Sequence, residues 1–295
     1  MRRPLLLLGA FLLVPVLCRA SSVEPDDVRI SEPGALRKAL AASGLSSDLV
    51  RLAGRVDTAL LVATLQDGDP ALARGVLSLM PHVKGPAVFL PVLVDLSASH
   101  DRDLASRAAR AAVLVASNID VRSGEGCADA QCDLVELGEP MHESLEKALS
   151  TPGIGPDIRR DMLALLATDA GRGYAGALED ELVDLLDDAD PRVRTAAATL
   201  MTPPADEDQL EALLDAAGDD DDPAVASTCL VAACAAMGLE EGRKHERTFE
   251  KRLERLVEDL EPTPQALAPV ASCLQGLGTP WAGEQASKLA AGATP

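Results

Sequence analysis

The sequence predicts an all-α protein, and two observations carry that prediction. Hydrophobic residues make up 47% of the 295-residue chain but aromatic residues only 2%, so its core must be built mainly from Leu, Val and Ala. Leu and Ala favour helices, whereas the aromatic residues that favour strands are scarce. The second observation is one kind of stretch that occurs three times: "DGDPALARGVLSLM" at 67–80, "DDADPRVRTAAATLM" at 187–201 and "DDDDPAVASTCLVAA" at 219–233.

Residues 1–20 are predicted to be a cleaved signal peptide. Arg2 and Arg3 precede an apolar run from Leu5 to Leu17, and Cys18-Arg19-Ala20 is a suitable cleavage site. The run is shorter than the about 20 residues that span a bilayer. Twin-arginine export and lipid attachment at Cys18 are alternatives, but the residues before Cys18 do not match a lipobox. We therefore expect an exported protein, periplasmic or extracellular, without a lipid anchor at Cys18.

Acidic residues outnumber basic ones throughout the chain. Removing residues 1–20 takes the net charge from −20 to −23, because three arginines are lost with them. Such a chain is repelled by phosphate backbones and by anionic lipid surfaces. We therefore expect neither nucleic-acid binding nor membrane insertion after cleavage, and a partner that is an envelope protein or peptide of unknown identity.

The stretch shared by the three segments is predicted to start an α-helix. Aspartate before proline is a favourable N-cap, and proline in the first helical position sacrifices no hydrogen bond. After Pro191 the apolar residues follow at helical spacing and form one stripe: Val193, Ala196, Ala197, Leu200 and Met201. Counting the more divergent copies, the anchor positions are 70, 102, 156, 191, 223 and 264.

Each predicted start is preceded by a second amphipathic segment, such as 178–186 before Pro191 and 210–217 before Pro223. A single helix pair of this length cannot bury its apolar face alone, whereas a stack of such pairs can. We predict a right-handed α-solenoid of stacked antiparallel helix pairs, with about six repeats. It should occupy residues 46–295, after a linker and capping segment at 21–45, with a cysteine-bearing loop near 118–133 interrupting it.

The best-preserved copy resembles the second helix of a HEAT repeat, especially the short bacterial form similar to the phycobilisome-lyase-type repeats. The order D-x-x-P-x-V-R-x-x-A-A carries the resemblance: Asp188, Pro191, Val193, Arg194, Ala196 and Ala197. The resemblance implies ladders of acidic and basic residues between neighbouring repeats. Arg159 and Arg194 occupy the basic position, but Ala73, Ala105 and Ala226 occupy it elsewhere, so the ladder is expected to be broken. Arg74 lies one place after Ala73.

The arginines near the second-helix starts allow two interpretations. Arg74, Arg159 and Arg194 could form a basic stripe on the concave face that binds an acidic peptide or carboxylate. Pairing with the many nearby aspartates is the interpretation that we favour, because exposed arginine beside aspartate commonly forms a surface pair.

Five cysteines remain after residue 20, and disulfides persist in exported proteins. We expect a local disulfide between Cys127 and Cys132, which flank a short polar stretch; a zinc site would need two further ligands. A second bridge between adjacent repeats could join Cys229 to Cys273, with Cys234 competing for the same partner.

No motif in the chain predicts catalysis, and we predict no cofactor. Gly171-x-Gly173-x-x-Gly176 lacks the preceding strand of a dinucleotide site. "HESLE", starting at His142, lacks the second histidine of a zinc protease motif. The four aspartates Asp219, Asp220, Asp221 and Asp222 could hold Ca²⁺, but they lack the alternating spacing of a calcium loop, and we favour a solvated loop ending in an N-cap.

The sequence therefore suggests an exported, non-enzymatic protein-binding or scaffolding module of the bacterial envelope. The alternative is a protein associated with a lyase or hydrolase that works with a cofactor-bearing partner, as the resemblance to phycobilisome-lyase-type repeats implies. The chain offers that alternative no nucleophile, base or metal site.

Overall fold

The computed structural model describes residues 29–44, 46–83, 88–117, 138–202, 206–236, 251–253, 255–257 and 263–292. Regular structure in this part is helical, and the extended backbone forms only an isolated parallel bridge between Ile30 and Val56. The predicted all-α class is confirmed for these residues. The predicted signal peptide, Cys18 and the expected Cys127–Cys132 disulfide lie outside them.

The helices are α1 (Pro33–Ala42), α2 (Ser46–Ala53), α3 (Thr58–Gln66), α4 (Pro70–Leu77), α5 (Phe89–Ser97), α6 (Arg102–Ser117), α7 (Gly138–Ser150), α8 (Pro156–Leu166), α9 (Arg172–Ala175), α10 (Glu179–Asp184), α11 (Pro191–Leu200), α12 (Glu207–Asp219), α13 (Pro223–Ala236), α14 (Pro264–Leu277) and α15 (Pro280–Gly292). Short 3-10 turns occupy Met80–His82 and Leu185–Asp187, and residues 251–253 and 255–257 are also helical. All six predicted anchor positions are the first residues of helices.

The helix starts follow the predicted aspartate–proline chemistry. A carboxylate oxygen of Asp69 accepts the backbone N–H groups of Ala71 and Leu72 at 3.0 and 3.2 Å. Asp190 accepts the N–H of Arg192 at 2.9 Å, and Asp222 accepts that of Ala224 at 2.8 Å. These bonds satisfy donors that the first helical turn leaves without partners, and the negative charge suits the helix dipole.

The helices contact one another in two rows. In the first row α3 contacts α5, α5 contacts α7, α7 contacts α10, and α10 contacts α12. In the second row α1 contacts α4, and the contacts continue from α4 to α6, α8, α11, α13 and α14 in turn. The rows are joined within each helix pair, most extensively at α5–α6 and α12–α13.

Small residues allow the second-row helices to approach closely. The face of α6 is buried through Ala105, Ala108, Ala109 and Ala112, and α11 and α13 are buried through alanines in the same way. Leucines of the first row fill the space between the rows, and full burial of one such side chain contributes about 2 kcal/mol. Among the described residues, every helix is too short or too polar to cross a membrane.

Candidate functional site

The predicted binding arginines lie at the junctions between second-row helices, and each pairs with an aspartate of the next helix pair. Arg159 of α8 donates to Asp188, before α11, with 2.5 Å between Nη1 and Oδ2. Arg194 of α11 donates to both carboxylate oxygens of Asp220, before α13, at 2.6 and 2.9 Å. We call such an ion pair between consecutive second-row helices a rung.

Two further rungs lie at the N-terminal end. Arg37 of α1 donates to Asp69 at 2.5 Å, and Arg74 of α4 pairs with Asp101 and, at 3.0 Å, with Asp103. Arg74 therefore makes a rung although it lies one place after the matching position. Arg37 was not among the predicted residues, although its position gave a signal: it follows Pro33 by four residues, as Arg74 follows Pro70.

The ladder is weak at the α6–α8 junction, where Ala105 occupies the basic position. There Arg102 lies 3.8 Å from Asp157, and Arg110 lies 3.9 Å from Asp161. Burial raises the pKa of Asp161, and the nearby Arg160 and Arg110 charges only partly offset that effect. At these distances the two pairs are looser than the hydrogen-bonded rungs on either side.

The pKa values of the rung carboxylates follow their surroundings. Burial raises the pKa of Asp220, but hydrogen bonds from Arg194 and from the N–H of Asp222 outweigh it, so the net shift is downward. The pKa of Asp69 is also lowered, first by the N–H of Leu72 and then by Arg37. Both groups therefore favour the charged form in the folded protein.

The rungs take up all three arginines of the predicted basic stripe. The exposed fractions of the Arg74, Arg159 and Arg194 side chains are 36%, 21% and 16%. Arg194 also donates to the backbone carbonyl of Asp188 at 2.7 Å. This arrangement corresponds to the pairing interpretation, in which the three guanidinium groups join repeats.

The stretch "GDDDDP" divides its carboxylates between two tasks. Asp220 forms the rung with Arg194 and accepts the N–H of Asp222 at 2.7 Å, while Asp222 caps α13. Asp219 and Asp221 are exposed. Within the described part of the chain no three His, Cys, Asp or Glu side chains are grouped as metal ligands.

An acidic groove lies beside the Arg159–Asp188 rung. It has a volume of about 350 Å³ and runs between the end of α7, the start of α8 and the segment from α10 to Ala189. Glu181, Asp184 and Asp187 contribute carboxylates to its wall, and Asp184 and Asp187 are exposed. Arg159 also lines the groove, but it is paired with Asp188, so the wall carries a surplus of negative charge and suits lysine or arginine side chains.

In the glycine-rich stretch at 171–176, Gly171 allows two segments of the chain to pack closely. A Cβ atom on Gly171 would lie 2.1 Å from the carbonyl oxygen of Leu165, so only glycine fits against the end of α8. Gly173 and Gly176 face open space, and the residues before the string form helix α8 where a dinucleotide site would have a strand. His142 lies on the partly buried face of α7.

The three described cysteines are free thiols, so the expected bridge between Cys229 and Cys273 is not present in the structure. Cys229 is buried near Asp220 and Arg194, and burial followed by the Asp220 charge raises its pKa to about 12. The thiol that faces Cys273 is that of Cys234. The two cysteines on α13 are five residues apart, which places them about 140° apart around the helix.

No protein-family model matches the chain, and no curated protein matches its sequence. The HEAT resemblance therefore stays a prediction that depends on the residues quoted for it.

Proposed function

We propose that this chain is an exported, non-enzymatic α-solenoid of HEAT-like helix pairs, right-handed and with about six repeats, that binds a basic protein segment in the bacterial envelope. The observation that carries the proposal is the two-row packing. Each second-row helix contacts the one before and the one after it, from α1 to α14. Stacks of this kind present extended surfaces to their partners.

The rungs support the solenoid part of the proposal. They join consecutive second-row helices at equivalent places, close to where the helices start. The HEAT resemblance implies such a ladder of acidic and basic residues. A repeating contact between nearest neighbours is the arrangement through which each pair buries its apolar face.

The charge distribution supports a basic partner. The rungs neutralise arginines with aspartates, which leaves surplus carboxylates such as Asp184 and Asp187 exposed at the acidic groove. A protein segment rich in lysine and arginine would gain attraction and association rate from such a surface. The strong negative charge opposes binding to phosphate backbones.

The structural roles of the titratable carboxylates support a binding function over a catalytic one. Hydrogen bonds from the Arg192 side chain and N–H lower the pKa of Asp190 to about 2 at the start of α11. Asp69 and Asp220 are likewise held by rungs and caps. These carboxylates have structural tasks, whereas catalytic acids and bases have pKa values tuned toward the working pH.

The test is affinity capture from envelope fractions with the mature protein as bait, followed by identification of the captured proteins. We expect capture of a protein with a basic segment, and loss of that capture when Asp184 and Asp187 are both changed to Lys. The matched control changes two exposed aspartates elsewhere, Asp67 and Asp208, to Lys, because it alters the net charge equally.

The control should capture the same protein as the unchanged chain, at a level reduced only by the general loss of negative charge. Equal loss in both double variants would mean that net charge, and not the groove, attracts the partner. Capture that is unaffected by the groove variant would contradict the assigned surface, and finding the mature protein in the cytoplasm would contradict export.

A further inference from the structure

A second groove brings two thiols together near the C-terminal end of the second row. It has a volume of about 340 Å³ and lies between α13 and α14, which contact each other. Cys234 of α13 and Cys273 of α14 both line it, among small and apolar neighbours that include Ala235, Ser272 and Gly276. Small side chains leave the two sulfur atoms room to meet.

The position of Cys234 around α13 selects it over Cys229. Cys229 lies on the side of α13 near Arg194 and Asp220, at the junction with α11. Cys234 lies about 140° around the helix axis from Cys229, on the side where its thiol meets that of Cys273. Of the two cysteines on α13, Cys234 is therefore the one that can bond to Cys273 of α14.

We propose that Cys234 and Cys273 form a disulfide bond that joins α13 to α14, made by exchange with a disulfide oxidant such as oxidised glutathione. The thiolate of one cysteine attacks a sulfur of the oxidant and expels the first glutathione thiolate. The second cysteine, after losing its proton, attacks the mixed disulfide and expels the second. Two protein thiols are oxidised and one glutathione disulfide is reduced to two thiols.

Burial sets the order of the two attacks. Cys273 is partly exposed on the wall of the groove, so it meets the oxidant first, whereas Cys234 is buried. The hydrogen bond with Cys273, together with burial, holds the pKa of Cys234 well above its ordinary value. A thiol held in the protonated form is a slow nucleophile toward an external disulfide. Cys234 then reacts within the protein, where the sulfur it attacks is already adjacent.

The bridge would strengthen a junction at which α13 offers no arginine or lysine for a rung. Ala226 of α13 occupies the basic position, and among the described residues the N–H of Thr263 donates to Ser227 Oγ at 3.1 Å. Local opening begins where few interactions hold neighbouring helices together. A covalent bond across a loop of about 40 residues restricts the unfolded chain and opposes that opening.

The experiment starts from the reduced full chain, incubated with oxidised glutathione, alkylated and mapped by mass spectrometry of its peptides. We expect a peptide pair joined through Cys234 and Cys273, and a melting temperature that rises by roughly 5–10 °C over the reduced protein. The C229S variant should give the same joined pair and the same rise, because Cys229 takes no part.

C234S and C273S should each remove both the joined pair and the rise, and circular dichroism of the reduced variants shows whether each still folds. Since Cys273 is partly exposed, C273S tests the bridge even if the buried C234S variant fails to fold. A pair joined through Cys229, glutathione adducts alone, or thiols that stay reduced would overturn the proposal. Its failure would leave the envelope-binding proposal untouched, because partner capture is measured separately.

Discussion

At the centre of the molecule, one aspartate pairs with the rung arginine and a second aspartate caps the next helix. At the N-terminal end a single aspartate does both. In the centre, Asp220 pairs with Arg194, and Asp222 caps the helix that follows. Asp188 and Asp190 divide the same two tasks one helix pair earlier. At the N-terminal end Asp69 caps α4 through one oxygen and pairs with Arg37 through the other.

This division lets the central pairs be buried. The exposed side-chain fractions are 16% for Arg194 and 5% for Asp220, against 63% for Arg37 and 32% for Asp69. A pair shielded from water depends strongly on both partners, whereas an exposed pair contributes little. The same residue types therefore make a structural joint in the centre and a surface contact at the end.

Removing the central aspartate should have the largest effect. D220A leaves Arg194 without its carboxylate and the N–H of Asp222 without its acceptor. We expect a loss of about 2–3 kcal/mol in the free energy of unfolding, because one partner of a shielded pair remains uncompensated. Urea denaturation measures it, with D221A, an exposed neighbour, as the control that should cost less than about 0.5 kcal/mol.

A second prediction compares how the two regions pack. A Cβ atom on Gly171 would meet the backbone of Leu165, whereas one on Gly75 would meet only the mobile end of the Leu40 side chain, at 2.9 Å. We expect G171A to cost about 1–3 kcal/mol through a forced backbone shift. G75A should be nearly neutral, since alanine favours the helix and Leu40 can move. Thermal unfolding of both variants measures the two losses of stability, and equal losses would contradict this prediction.

A third prediction uses pH. The folded pKa of Asp220 lies below 3.8, so its contribution to stability is fully present above about pH 4 and is lost as the pH falls through the folded value. D220N lacks this group, so the stability difference between it and the unchanged chain should narrow as the pH falls below 4. Denaturation series at several pH values measure the difference, and a constant difference would mean that the charge of Asp220 is unimportant.

The helical class and the helix starts could be predicted from the sequence because they depend on local chemistry. Every predicted anchor is the first residue of a helix. Aspartate and proline act together on the backbone at 70, 191 and 223, whereas 156 and 264 have the proline alone and 102 has the aspartate alone. The pairing interpretation for Arg159 and Arg194 followed from the many aspartates near them in the sequence, and the structure places both beside aspartates. The solenoid arrangement with its handedness, the resemblance to HEAT repeats, export and function stay predictions.

Contacts between successive helix pairs could not be predicted, because they depend on how the chain turns between helices. Asp67 stands where Asp188 and Asp220 stand relative to proline, yet it is exposed. The residue after it, Gly68, has a φ of 75°, a conformation that no described residue other than glycine adopts. The backbone before α4 therefore follows a different path from the backbone before α11 and α13, and Asp69 forms the rung in place of Asp67. The cysteine contacts were equally hard to predict. Cys229 and Cys234 are only five positions apart on α13, yet that spacing turns their thiols toward different neighbouring helices.

The smallest effects are expected at the N-terminal rung, where cap and pair can be separated. R37A removes only the exposed pair and should cost less than about 0.5 kcal/mol. D69A removes the cap as well and should cost more than R37A. D69S keeps an oxygen for the Ala71 and Leu72 N–H groups and should resemble R37A. The cost of R37A should vanish in about 1 M salt, where charges are screened beyond about 3 Å. An R37A cost equal to that of R194A would show that burial does not distinguish the two regions.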